Sequence, residues 1–186
     1  KTMFMGMEFP QWGEWDVWGD LEWHLLQFDA HQGMKRFFRD VNHLYCSEAA
    51  LHEQDFSEEG FQWIDCSDNN HSVVSFIRRA KDPQEFVVTV CNFTPQPHSH
   101  YRIGVPESGF YTEIFNSDAG NYGGSNMGNL GGKWTDEWYF HNHPQSLDLC
   151  LPPLGVLVLK LDREKTLAVM DQSQETETET ETVSES

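Results

Sequence analysis

The sequence lacks long apolar runs and has few basic residues. Its longest uninterrupted apolar run, Gly155 to Leu159, is far shorter than the roughly 20 residues that a membrane-spanning helix needs, so we expect no contact with a membrane. Only 12 lysines and arginines stand against 30 aspartates and glutamates, which gives a net charge of −18 at pH 7. Because nucleic acids and anionic membranes require basic patches on their partners, the sequence predicts that the protein binds neither.

The chain also lacks any pair of cysteines at CxxC spacing. Its four cysteines are scattered, at Cys46, Cys66, Cys91 and Cys150, so neither a zinc site nor a redox motif is indicated. A chain of 186 residues can bury a core without disulfides, and no basic, apolar secretory leader opens it. We therefore expect buried, reduced thiols in a cytoplasmic protein.

The end of the chain has almost no apolar residues. Residues 171–186, DQSQETETETETVSES, contain one apolar residue, Val183, and many acids. Such a segment cannot bury enough surface to order itself. We predict that residues 164–186 form a disordered, acidic tail with no direct part in function.

Tryptophan is concentrated near the start of the chain. The stretch MGMEFPQWGEWDVWGDLEWHLL, residues 5–26, holds four of the seven tryptophans, with carboxylates between them. Its glycines and proline exclude a helix and its aromatic content excludes a flexible linker, so it predicts a shaped loop. Tryptophan faces stack on sugar rings while nearby carboxylates accept hydrogen bonds from hydroxyls, a combination that suits a neutral glucan. The alternative is that the rings only pack the loop against its scaffold.

Other candidate sites are weaker. Glu8, Glu14 and Asp16 are of the right type for a glycosidase carboxylate pair about 5–5.5 Å apart, but their spacing does not fix one. We favour hydrogen-bonding and loop-ordering roles for them. The segments HSH, 98–100, and HNH, 141–143, lack a third ligand at a metal-site spacing, so we predict no metal and no cofactor.

One helix is predicted from apolar periodicity. Its stripe runs from Met34 to Tyr45 at a period of 3.6 residues, with charged residues on the opposite side. Asp29 and Gln32 have the spacing of a capping box, and a second short helix is predicted over 48–51. A single strand and helix cannot bury both faces of a parallel strand, so residues 1–55 resemble the end of a larger α/β domain.

Between about Phe61 and Leu161 the pattern changes to seven short strands separated by turn-forming residues. This spacing predicts an antiparallel β-sandwich. A long Gly/Asn-rich loop between the fifth and sixth strands is a candidate crossover. The predicted fold class is thus α/β plus all-β.

Several separated blocks resemble, in order, the C-terminal part of bacterial glycogen branching enzymes of the alpha-amylase superfamily. They cover about residues 1–162, and they are MGMEFPQWGEWD, LEWHLL, GFQWIDCSDNNHSVVSFIRR, VVTVCNFTP, YRIGVPESGFYTEIFNSDAGNYGGSN and LDLCLPPLGVLVL. The opening KTMFMG has no initiator methionine, which suggests a chain taken from a longer protein.

The resemblance implies a domain organisation. Residues 1–6 would be the eighth strand of a (β/α)8 barrel, 7–28 the loop that follows it, and 30–46 the closing helix. Residues 1–58 would then end the barrel, and residues 59–163 would form an antiparallel, all-β C-terminal domain.

The resemblance also implies an activity. These enzymes cleave an α-1,4 glucan and transfer the segment to a 6-hydroxyl, which creates an α-1,6 branch. Their catalytic carboxylates follow strands four, five and seven, so they would precede Lys1 and none can be assigned in this chain. The implied partners are the upstream barrel portion and an α-glucan such as glycogen, amylose or an amylopectin-like chain.

The family pattern separates the tryptophans. Trp15 and Trp23 match positions that we expect to be aromatic, and Trp23 is predicted to pack in the scaffold. Trp12 and Trp18 depart from the family form and are predicted glucan stackers. Trp63, in GFQWID, either binds glucan or packs between domains. The predicted substrate-binding residues are Trp12, Trp15, Trp18, Trp63 and Glu8. The alternatives are a non-catalytic glucan-binding module or a segment of another alpha-amylase superfamily hydrolase.

Overall fold

The computed structural model describes residues 2–169 of the chain. Residues 170–186, most of the predicted tail, lie outside the described residues. The tail was predicted to begin at residue 164. This start is wrong, because residues 163–169 are helical and Thr166 is buried. Thr166 Oγ1 donates to the Asp162 backbone oxygen at 2.6 Å and accepts from the Phe110 N–H at 3.0 Å. These hydrogen bonds fix the segment to the β domain.

The predicted helix is present as α1, Asp29–Ser47. The predicted capping box is wrong. Phe28, with an extended backbone, is the N-cap residue, and no side chain caps the helix. Asp29 instead lies in the first turn, where its negative charge faces the positive end of the helix dipole. The second predicted helix is a short 3-10 turn, Ala49–Leu51.

Eight antiparallel strands form the β domain, which confirms the predicted sandwich. The strands are β1 Phe61–Asp68, β2 Val73–Arg79, β3 Phe86–Asn92, β4 His98–Val105, β5 Phe110–Asn116, β6 Gly132–Trp134, β7 Gln145–Leu151 and β8 Val156–Asp162. One sheet has the order β1-β2-β3-β8-β5-β6, and β4 pairs with β7 in the other. All seven predicted strands are present, and β6 is an addition.

The larger sheet is covered on both faces. In β3, Val88 and Val90 belong to the core shared with β4 and β7, whereas Val87 belongs to the cluster that includes Phe37 and Val41 of α1. Successive side chains of a strand point to opposite faces of the sheet, and here each face packs against one of these two apolar clusters. The central strands are therefore apolar at nearly every position. The helix and the β domain are thereby packed together.

The expected strand at residues 1–6 is not formed by the described residues 2–6, which are irregular and lead into turns. The Met7 N–H donates to the Phe4 oxygen at 3.1 Å, and the Gln11 N–H donates to the Gly6 oxygen at 3.3 Å. Gly6 has a φ of 84°, a conformation that favours glycine. A strand requires a hydrogen-bonded neighbour, and none of the strands described within residues 2–169 pairs with this segment.

The long loop after β5 is more ordered than its composition suggests. The Asp118 carboxylate accepts the N–H groups of Ser125 at 2.9 Å and Met127 at 3.0 Å. Tyr122 packs on Phe37 of α1 and donates its hydroxyl to Asp40 at 2.9 Å. The chain returns beside β5 as β6 and then passes to β7 in the other sheet, so the connection between the fifth and sixth predicted strands does cross between the sheets, with one short strand within it.

The cysteines are all free, as predicted. Cys46 and Cys66 are exposed and Cys91 and Cys150 are half-buried, so the predicted burial is wrong for the first two. Burial raises the pKa of the Cys91 thiol to about 11.

Over residues 2–169, no helix has both the length and the apolar character to cross a membrane.

Candidate functional site

One carboxylate closes the tryptophan loop, which we define as residues 7–28. Glu22 Oε2 accepts the backbone N–H groups of Trp12 at 2.8 Å and of Gly13 at 3.0 Å. The hydrogen bond from Gly13, followed by that from Trp12, lowers the pKa of Glu22 although desolvation opposes them. Glu22 is therefore a charged acceptor that holds two distant parts of the loop together.

A second carboxylate orders the tip of the loop. Asp16 Oδ1 accepts the Trp18 N–H at 2.9 Å, and the Asp16 backbone oxygen accepts the Gly19 N–H at 3.2 Å. An aspartate that binds the backbone two residues ahead forms a local turn. Asp16 thus has the loop-ordering role that we favoured for the acids of this stretch.

The base of the loop is anchored on α1. Phe9 and Leu25 are fully buried, and the Phe9 backbone oxygen lies 2.7 Å from His31 Nδ1. This contact is a hydrogen bond when Nδ1 carries the proton. Trp23 stacks on Phe9 with ring centroids 5.1 Å apart, which is the scaffold contact predicted for it, although its ring is partly exposed.

Trp12 and Trp18 project from this base, whereas Trp15 is less exposed than Trp23. Trp12 is 76% exposed and stacks on Phe28 with ring centroids 6.3 Å apart. Trp15 contacts the edge of Phe4 at 5.7 Å. Trp18 is 93% exposed, so its ring contributes almost nothing to packing within the described residues. The two rings that depart from the family pattern are thus the most exposed of the four.

Two cavities flank the loop. One of about 640 Å³ lies between the loop and α1, with Phe4, Met5 and Trp15 among its lining residues. The second, of about 400 Å³, is more polar and is lined by Trp15 and Trp23 together with the loop carboxylates Glu14, Asp16, Asp20 and Glu22. Aromatic rings next to carboxylates provide both stacking surfaces and hydrogen-bond acceptors, the combination that a neutral sugar requires.

Glu8 and Trp63 lie apart from these cavities. Glu8 is half-buried between Met7 and Phe9 and is not among the lining residues of either cavity. Trp63 lies on the edge strand β1, partly exposed, with its ring against Phe61 at 4.8 Å and Phe76 at 5.9 Å. Of the five predicted substrate-binding residues, Trp15 lines both cavities, whereas Trp12 and Trp18 project from the loop without lining either one.

The histidine-rich segments lie against carboxylates within the fold. His100 Nδ1 lies 2.9 Å from Asp148 Oδ2, and His141 Nε2 lies 3.6 Å from Asp65 Oδ2. Burial lowers the pKa of His141, although Asp65 opposes this effect. Across the described part of the chain, no group of three His, Cys, Asp or Glu side chains is arranged to hold a metal ion.

Sequence reasoning missed Glu22 and His31 as residues that shape the site. Glu22 binds backbone groups nine and ten positions away, and His31 binds a backbone oxygen 22 positions away. No local spacing rule links such positions, because the connecting chain is irregular.

The chain is similar in sequence to one protein family and to proteins of known name. Residues 63–162 match the family described as alpha amylase, C-terminal all-beta domain. The chain is 83% identical over 173 residues to the 1,4-alpha-glucan branching enzyme of Trichodesmium erythraeum, which covers 93% of this chain and 22% of that protein. It is 76% identical over 168 residues to the enzyme of the same name from Thermosynechococcus vestitus, covering 90% of this chain and 22% of that protein.

A solved structure of an inactive MutB double mutant in complex with isomaltulose has a TM-score of 0.44 and 17% identity, covering 78% of this chain and 22% of that one. The chain spans about a fifth of the length of the curated relatives that it matches. These relatives confirm the resemblance to branching enzymes that the sequence blocks indicate. The chain belongs to the family of alpha-amylase C-terminal all-beta domains.

Proposed function

We propose that this chain is the C-terminal segment of a 1,4-alpha-glucan branching enzyme. The observation that carries the proposal is 83% identity, over 93% of the chain, to a protein of that name. The complete enzyme would cleave an α-1,4 bond in a glucan and transfer the released segment to a 6-hydroxyl. Its substrates would be glycogen, amylose or amylopectin-like chains, and its role would be glycogen biosynthesis.

We propose that residues 1–58 complete the rim of a (β/α)8 barrel whose catalytic carboxylates lie elsewhere in the complete enzyme. Two of the loop carboxylates support that division. Glu22 and Asp16 accept hydrogen bonds from backbone N–H groups within the loop. A nucleophile for retaining glycosyl transfer must instead be free to attack the anomeric carbon.

The tryptophan loop would provide binding surface for the glucan. Trp12 and Trp18 expose most of their rings, and Trp15 borders both loop cavities. An exposed ring on a loop that is already ordered can stack on a sugar without a further loss of loop entropy on binding. Glu14 and Asp20, which also line the more polar cavity, would accept hydrogen bonds from the sugar hydroxyls.

Glu8 and Trp63 would have separate roles. Trp63 forms an aromatic group with Phe61 and Phe76 on the edge of the larger sheet, and its partly exposed ring can accept a second part of a long glucan. The half-buried Glu8, near the start of the tryptophan loop, would hydrogen-bond a sugar hydroxyl outside the two cavities. We also propose that the protein acts in the cytoplasm, in keeping with its four free thiols.

Two other functions are less favoured by the relatives' names: a glucan-binding module without chemistry, and another hydrolase of the superfamily. Incubation of the complete protein with amylose, followed by proton NMR of the product, distinguishes the three. Branching predicts a new α-1,6 anomeric signal without an equal rise in reducing ends. A rise in reducing ends without that signal would indicate a hydrolase, and retention on amylose without any product would indicate a binding module.

A further inference from the structure

A second exposed tryptophan site lies on the β domain, between β6 and β7. Trp138 is 59% exposed, and the Arg102 guanidinium lies over its ring, 4.9 Å from the centroid. This distance is within the range of a cation–π contact. Neighbouring Tyr139 is also exposed, and its hydroxyl is 3.4 Å from Asn142 Oδ1. The site therefore combines aromatic surface with hydrogen-bonding groups.

The support beneath Trp138 is rigid. Arg102 Nη1 donates to Asp136 Oδ2 and to Ser146 Oγ, both at 2.7 Å. Ser146 is fully buried in β7, and its backbone pairs with that of Asp136. The Trp138 N–H also donates to the Asp136 oxygen at 2.7 Å. The tryptophan ring thus rests on a cation that two strands hold in place.

We propose that Trp138 is an additional binding platform for a neutral α-glucan chain, separate from the tryptophan loop and from Trp63. The identity of the glucan rests on the proposed function. A sugar ring would stack on the exposed part of the Trp138 ring, and Asp136, Glu137 and Asn142 would supply hydrogen-bonding partners for its hydroxyls. Because Arg102 fixes the ring before binding, little side-chain entropy is lost when the sugar docks.

Ligands of other chemistry fit this surface poorly. Asp136 and Glu137 directly precede Trp138 in the sequence, the Arg102 cation is already paired with Asp136, and the whole chain carries a net charge of −18, so phosphorylated ligands would be repelled. The cores of protein interfaces are depleted of charged residues, whereas the Arg102 guanidinium lies over this tryptophan and Asp136 and Glu137 directly precede it in the sequence. A neutral, polyhydroxylated chain is not repelled by the negative charge, its hydroxyls can bind the charged side chains, and its apolar ring faces can stack on the tryptophan.

An additional platform would act mainly on long glucans. A chain that contacts both the tryptophan loop and Trp138 binds the second site at a high effective concentration, whereas a short oligosaccharide occupies one site at a time. Loss of Trp138 should therefore weaken the binding of glycogen and amylose while the branch-forming chemistry continues.

The test measures retardation of the complete protein in native gels that contain glycogen or amylose. We expect Trp138→Ala to raise the apparent dissociation constant about threefold to tenfold, and Trp138→Phe, which keeps a ring, to raise it less. Leu154→Ala is the control, because Leu154 is another exposed apolar residue of the β domain. Melting temperatures of all variants verify that the fold is intact.

The outcomes separate this proposal from the proposed function. Equal retardation of Trp138→Ala and the unsubstituted protein would overturn the additional platform, and so would an equal loss in Leu154→Ala. If Trp138→Ala fails to fold, the apparent dissociation constants of Trp138→Phe and Leu154→Ala are compared instead. A larger rise in Trp138→Phe supports the platform, and an equal or smaller rise overturns it. An unsubstituted protein that forms no α-1,6 linkages contradicts the branching function, whatever Trp138 does.

Discussion

Glu22 and Trp12 are joined by a hydrogen bond of 2.8 Å between the carboxylate of the former and the backbone N–H of the latter. The same carboxylate oxygen accepts the Gly13 N–H, so a single side chain sets the path of the loop that displays Trp12. Hydrogen bonds to a charged acceptor are stronger than those between neutral groups. Glu22 therefore positions the proposed glucan-binding surface by binding backbone N–H groups of the loop.

Glu22→Ala should loosen this surface. Two backbone donors lose their acceptor, and we expect the KM of the complete enzyme for amylose to rise about fivefold with a smaller change in kcat. Steady-state kinetics with amylose measures both quantities. Glu58→Ala is a control, because Glu58 lies in a 3-10 turn before β1. An unchanged KM in Glu22→Ala, or an equal rise in the control, would show that Glu22 does not position the loop.

Trp18→Ala and Trp23→Ala should have opposite effects. Trp18 is almost fully exposed, so its removal should reduce activity on long glucans and leave the melting temperature nearly unchanged. Trp23 stacks on the buried Phe9, so its removal should destabilise the protein by about 1 kcal/mol. Calorimetry and branching assays measure the two effects. A large loss of stability in Trp18→Ala with unaltered activity would support a purely packing role for the loop.

Much of the fold was predictable because the determining patterns are local. The α1 stripe repeats every 3.6 residues over most of the helix, and each of the seven predicted strands is an apolar segment bounded by turn-forming residues. β6 was missed because its sequence, GKW, contains one apolar residue and follows a glycine. It is a strand because the exposed edge of β5 offers hydrogen-bonding partners.

The candidate site was only partly predictable. Its aromatic composition is visible in the sequence, and so is the division between Trp23 and the more exposed Trp12 and Trp18. The acceptor role of Glu22 is not visible in the sequence, because the N–H groups that it binds lie across an irregular loop. The helix start was misplaced by a capping box at Asp29 and Gln32, whereas Phe28 ends the preceding 3-10 turn and becomes the N-cap.

The packing of α1 on the loop after β5 should not tolerate a methyl group at Gly33. A Cβ atom there would overlap the backbone oxygen of Tyr122. We expect Gly33→Ala to destabilise the protein by about 1–3 kcal/mol, despite the higher helix propensity of alanine. Gly120→Ala is the matched control, because its Cβ would meet its nearest neighbour at an ordinary 3.8 Å. Thermal unfolding that ranks Gly120→Ala below Gly33→Ala in stability would contradict this packing.

Asp118 should make stability depend on pH in the acid range. Burial alone would raise its pKa, but hydrogen bonds from Ser125 and Met127 outweigh burial and hold the pKa below its ordinary value of 3.8. A carboxyl whose pKa is lower in the folded state stabilises the fold above the ordinary value, and this contribution is lost as the pH falls through the folded value.

Asp118→Asn should therefore cost about 1–3 kcal/mol at neutral pH, and its difference from the unsubstituted protein should shrink as the pH is lowered below 3.8. Chemical denaturation at a series of pH values measures this difference. A difference that stays constant down to the lowest pH would exclude an ionised Asp118 as the organiser of the loop.

The most direct test of the account is the affinity of the complete protein for maltoheptaose when Trp12 and Trp18 are both replaced by alanine. Isothermal titration of this double variant should give a dissociation constant at least about tenfold above that of the unsubstituted protein, with a melting temperature lowered by no more than about 4 °C, because Trp18 is almost fully exposed and Trp12 loses its stacking on Phe28. An unchanged dissociation constant together with a lowered melting temperature would contradict the claim that the tryptophan loop is a glucan-binding surface.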